Sequence, residues 1–103
     1  MTTEAYIPTS VTLASRPIAD VFAVTLYDPD SDDPHGSLTT HNPLPAGERG
    51  GPLVIEGARG GKLWRITLPE IEVSRSSAVG FEFTIFGRLK REELSTPASQ
   101  PPP

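Results

Sequence analysis

The sequence predicts an all-β protein, a small antiparallel β-sandwich or barrel with a long loop and extended termini. Three observations carry this. Six short runs rich in β-branched and aromatic residues are bounded by turn residues. No run shows an apolar stripe of helical period. Twelve prolines are scattered among these runs, far too many for a helical protein.

Taken in order, residues 1–10 read as an extended arm whose large apolar groups are Tyr6 and Ile7, with Pro8 barring further ladder pairing. Val11 and Leu13 alternate with small residues and predict a short strand, broken at Arg16-Pro17. Asp20–Tyr27 is a better strand, with Phe22, Val24 and Leu26 expected on one face. Residues 28–52 read as one long loop holding only two leucines, Leu38 and Leu44. A loop of that length inside a small domain is usually an interaction or functional segment. Residues 53–68, with the glycine-rich turn at Gly57–Gly61, predict a hairpin.

Residues 70–89 predict a second hairpin, turning at Ser74–Ala78. The hydrophobic phase slips at Pro69, between Trp64-Ile66-Leu68 and Ile71-Val73, which predicts a bulge or bend at an edge. From Val79 the alternation is strict, with Val79, Phe81, Phe83, Ile85 and Leu89 inward and Glu82, Phe86 and Arg88 outward. Leu89–Leu94 forms a helical turn or extends the strand. Ser95–Pro103 is a proline-rich tail suited to polyproline II or disorder. The expected organisation is an arm (1–10), one β-domain (11–94, with the loop at 28–52) and a tail (95–103). About 65 residues remain for the core, which is marginal without disulfides or metal, and neighbouring subunits would supply the missing contacts.

The net charge of −4 is uneven: residues 1–52 carry seven acids against two bases, and residues 53–103 six against seven. That balance argues against a nucleic-acid partner, which wants a basic face. No apolar run approaches the ~20 residues of a membrane span, so no membrane partner is expected. The first ten residues lack the basic and apolar regions of a secretory signal. With no cysteine there is no disulfide framework and no thiolate metal site.

Candidate chemistry is sparse. Asp28, Asp30 and Asp32 share the alternate spacing of a calcium loop, but Asp33 stands where its glycine belongs and Thr39 where its closing acid belongs. His35 and His41 lack the spacing of zinc ligands. A triad of Ser37, His35 and Asp33 has no nucleophile elbow behind it. The glycine-rich pieces 47–51 and 57–61 lack the lysine and helix of a phosphate loop. Trp64, Phe86, Tyr6 and Tyr27 are candidates for an aromatic platform. No catalytic residue, cofactor or metal is assigned. Tyr6, Ile7, Asp28, Asp30, Asp32, Asp33, Leu38, Leu44, Phe86, Arg88, Lys90 and Arg91 are expected to meet other protein subunits. The acidic loop would be drawn to the basic Arg88–Arg91 segment of a neighbouring copy.

The stretch ITLPEIEV followed by FEFTIFG resembles the C-terminal part of tail-tube and related β-sandwich subunits, of tube or decoration type, from tailed bacteriophages. It covers Trp64–Leu89, a quarter of the chain. The resemblance implies a non-enzymatic assembly subunit of a virion, either a capsid decoration or a tail component, acting as a homo-oligomer or within a larger particle. The alternative is a ligand-binding β-module in the cytoplasm, for carbohydrate or peptide, with calcium on the acidic loop.

Overall fold

The computed structural model describes residues 2–94, so the expectations for Ser95–Pro103 lie outside the described residues. Among the described residues there are ten strands and no helix: β1 (Thr3–Leu13), β2 (Arg16–Pro17), β3 (Val21–Tyr27), β4 (His35–Thr40), β5 (Arg49–Gly50), β6 (Leu53–Arg59), β7 (Lys62–Leu68), β8 (Glu70–Ser77), β9 (Gly80–Phe86) and β10 (Lys90–Leu94). All pair antiparallel, in the order β10-β7-β6-β1-β3-β4-β9-β8-β5, with β2 on β1. The sheet curls into a half-barrel around one core.

β1 makes the curl possible. Thr3–Tyr6 pair with β3, and Ile7–Leu13 pair with β6, with a register shift between Pro8 and Ser10. The strand changes partner midway, so both walls of the half-barrel hang from it. Gly57 lies opposite the change; a Cβ there would come within 2.6 Å of the Ile7 carbonyl oxygen. Thr3–Ser10, expected as part of an arm, are therefore strand within the sheet. Tyr6 is 2% exposed and belongs to the core.

The long loop is also corrected. It contains β4, an interior strand between β3 and β9, and the short β5. Leu38 is buried in the core and Leu44 packs against it, so neither forms a free ridge. The polar letters of β4 hide this role. Gly36 makes room for the Phe83 ring, which a Cβ would meet at 2.7 Å. Thr40 is buried, its hydroxyl donating to the Ala19 carbonyl (2.9 Å) and accepting from the Asn42 N–H (3.0 Å). Buried polar atoms with partners cost little.

Three facing assignments also change. β3 carries a register shift between Val21 and Ala23, which turns Phe22 outward while Val24 and Leu26 stay buried. Val79 lies in the β8–β9 turn and is exposed; Phe81, Phe83 and Ile85 are buried as expected. The phase slip at Pro69 is the second of the two expected alternatives, a bend and not a bulge, and it carries the chain from one wall to the other. β7 pairs with β6 and β10 on one wall, and β8 with β9 and β5 on the other. Ile66, Leu68, Ile71 and Val73 thus all belong to one core. The bulge in β8 falls later, between Val73 and Arg75. The β1–β2 turn places Ala14 and Ser15 at φ of 53° and 68°, a conformation that L-residues pay to adopt.

Candidate functional site

The outer face carries an apolar row built from one residue per strand. Leu94 pairs with Leu63, Leu63 with Ala58, and Ala58 with Ile7. Directly paired residues share a face, so the four side chains line up across β10, β7, β6 and β1. Ile7 is 72% exposed while its neighbour Tyr6 points into the core. Beyond β1, Phe22 is 52% exposed, and His41 meets its ring edge-on at 4.7 Å. Ile7, Phe22, Ala58, Arg59 and the Gly60-Gly61 turn line a shallow groove of about 420 Å³ over Tyr6. The Arg59 guanidinium stands 5.8 Å from the Tyr6 ring centre.

Beneath the other side of β1 lies a charged cluster. Arg91, on β10, donates to both oxygens of Glu4, at 3.0 Å from Nε and 2.6 Å from Nη2. It also donates to both oxygens of Asp30, at 3.2 and 3.1 Å. The Tyr6 hydroxyl donates to Glu4 Oε1 at 2.8 Å. Glu4 is nearly buried, Arg91 partly so, and Asp30 is open to solvent. Burial pushes the Glu4 carboxyl up, but the hydrogen bonds from Arg91 and Tyr6 outweigh it and hold the group below its ordinary value. Burial and the bond to Glu4 push the Tyr6 phenol up to about 12. The bonds to Glu4 and Asp30 raise Arg91 against its partial desolvation.

The acidic loop and the basic segment therefore do meet, but within one chain: Asp30, Ser31 and Asp32 face Arg88 and Arg91 across a polar hollow. This corrects the expected attraction between copies for Asp30 and Arg91. Asp28 also serves its own chain, its Oδ1 accepting the Thr2 N–H at 2.7 Å and its carbonyl accepting Ser31 Oγ at 2.7 Å. Asp32, Asp33, Arg88 and Lys90 remain exposed.

Among the described residues no three His, Asp or Glu side chains converge as a metal set. His35 bonds the Asp33 main-chain carbonyl, not its carboxylate, and stacks on Tyr27 at 5.4 Å. Phe86 lies under the Arg49 guanidinium at 4.6 Å, and Arg49 is in turn paired with Glu70. Trp64 packs on the core, its indole N–H donating to the Arg59 carbonyl at 3.2 Å. The four candidate aromatics thus form no common surface.

Phe22, Ala58, Leu63 and Leu94 were not singled out by sequence reasoning. Each comes from a different strand, so no local pattern joins them. The Glu4–Arg91 pair had a fainter signal: Glu4 and Tyr6 alternate in phase, which sets an acid on an inward face.

Comparison with protein-family models, with curated proteins and with solved structures finds no match to this chain.

Proposed function

We propose that this chain is a non-enzymatic structural subunit that docks against other protein subunits through its outer apolar row. The observation that supports it is the contiguous exposure of Ile7 and Phe22 beside Ala58, on the face turned away from the core. Single exposed apolar side chains are ordinary, but two large ones sharing a groove at the end of an apolar row are the composition of an interface centre. The row replaces the acidic loop as the contact surface; of the sequence-assigned residues, Ile7 lies on it. A virion, as a capsid decoration or tail component, is the setting proposed from the resemblance over Trp64–Leu89.

Sedimentation velocity across a concentration series tests the docking. The chain should associate as its concentration rises. The Ile7→Ser/Phe22→Ser variant should stay monomeric, with an unchanged far-ultraviolet spectrum. Equal association of the two proteins would place the contact elsewhere and sink this reading. Density-gradient fractionation of the native source addresses the setting: the chain should travel with large particles, and recovery only at monomer density would overturn the virion proposal.

A further inference from the structure

We infer that the occupant of the outer groove is a second copy of this chain, which presents the acidic tip of its β3–β4 loop, Asp32 and Asp33, to Arg59 and Phe22, so that copies associate head to tail. This rests on the docking surface proposed above and names its partner. The loop tip is no part of the row; it is what the row meets on the next copy.

The distribution of unmatched charge carries the inference. Ile7, Phe22 and Ala58 line the groove beside Arg59, and no acidic side chain is among its lining residues. Arg59 is exposed and enters no ion pair among the described residues. Arg16 and Arg88 are likewise outside any ion pair, but each has acid at hand in its own chain. Arg16 shares a hollow with Glu48, and Arg88 shares one with Asp30 and Asp32. The acids leave a complementary remainder. Asp32 and Asp33 are exposed and enter no ion pair among the described residues, and Asp33 lies outside the hollow that holds Arg88 and Arg91. Elsewhere, Asp20 accepts from Asn42, Asp28 accepts the Thr2 N–H, and Glu72 stands opposite Arg49 in the β5–β8 ladder. The groove therefore offers a cation without an anion, and the loop tip an anion without a cation.

The geometry makes the contact intermolecular. Tyr6 pairs with Val24 and Thr3 with Tyr27, so the groove lies at the start of β3 and the acidic loop leaves from its end. Tyr27 follows Phe22 by five residues, roughly 17 Å at ~3.4 Å each. A patch and its complement at opposite ends of one strand form a heterologous contact, which repeats from copy to copy instead of closing as a two-fold pair. The tip is ordered before it docks: Ser31 Oγ donates to the Asp28 carbonyl at 2.7 Å and accepts the Asp33 N–H at 3.2 Å. Little ordering entropy is then lost on association. Pro34, half-buried beside the two acids, adds an apolar ring to meet Phe22 and Ile7. Those side chains shield the ion pair from water.

Charge reversal, followed by sedimentation velocity of the full chain, tests the inference. Arg59→Glu and the double variant Asp32→Lys/Asp33→Lys should each weaken self-association by about tenfold or more, with unchanged far-ultraviolet spectra. The chain carrying all three changes should associate again, because the pair is restored with its signs exchanged. The parent should grow past a dimer as its concentration rises, and added salt should weaken that growth. Association of Asp32→Lys/Asp33→Lys equal to the parent's, no recovery in the triple variant, or a parent that stays monomeric or stops at a dimer would each overturn the inference. The docking surface is judged separately. If Ile7→Ser/Phe22→Ser abolishes association while Asp32→Lys/Asp33→Lys leaves it intact, the groove stands as a docking surface and only its partner named here is refuted.

Discussion

Replacing Arg91 with methionine should cost the fold about 2–4 kcal/mol at neutral pH. The replacement keeps much of the side chain's length and apolar packing but removes the guanidinium. Glu4 then loses two charge-assisted hydrogen bonds, each worth about 1.5–3 kcal/mol, and keeps only the Tyr6 hydroxyl. Breaking a fully buried pair costs about 3–5 kcal/mol, and the partial exposure of Arg91 (29%) lowers that figure. Asp30 contributes far less: it is 71% exposed, and Asp30→Asn should cost under about 1 kcal/mol. Urea unfolding followed by the fluorescence of Trp64, the only tryptophan, measures both. The pH dependence gives a second check. The Glu4 pKa is depressed in the folded state, so its contribution is present above the ordinary glutamate value and is lost as pH falls through the folded one. In Arg91→Met the uncompensated carboxyl protonates readily, so the gap between variant and parent should close as the medium is acidified below about pH 4. A variant no weaker than Asp30→Asn, or a gap that persists in acid, would refute the view that Glu4 is a buried anion held by Arg91.

Phe83→Ala should cost about 3–5 kcal/mol in thermal melts, against under ~1 kcal/mol for Glu82→Ala on the exposed face; equal losses would mean that β9 faces the other way. Gly36→Ala should cost about 1–3 kcal/mol, because its methyl would press on the Phe83 ring and the Thr25 carbonyl, while Gly50→Ala, with open space around it, should stay within about 0.5 kcal/mol in the same assay. Converting Ala14-Ser15 to Asn-Gly should stabilise by about 1 kcal/mol, seen as a higher urea midpoint at unchanged slope, because both positions sit at positive φ in a two-residue hairpin.

The all-β class and both C-terminal hairpins were legible, because β6–β9 bury residues that alternate in the sequence. Phe81, Phe83 and Ile85 needed only local pattern. β4 was not legible, because HGSLTT is polar on paper and becomes an interior strand only through distant partners: the Phe83 ring against Gly36 and the Ala19 carbonyl on Thr40. Phe22 was placed on the wrong face because one extra residue in β3 inverts the phase, and no letter announces a bulge. The candidate site was almost invisible. Its row takes one residue from each of four strands, so it exists only in the register of a finished sheet. Of the residues that the sequence assigns to contacts, Ile7 lies on it, while Tyr6, Leu38, Asp30 and Arg91 hold the domain together.

The sharing of β1 between two walls sets an order on vectorial synthesis. Its first residues can pair as soon as Tyr27 has emerged from the ribosome, but its second half waits for Leu53–Ala58. Glu4 waits longest, since its counter-ion lies 87 residues downstream. Until β10 arrives, the nascent chain must keep that carboxylate in water, and the corner around Tyr6 stays unsealed. A chain that stops before Arg91 therefore leaves Glu4 without its counter-ion. The Glu4–Arg91 pair thus joins β1 to β10 and closes only once β10 has been made.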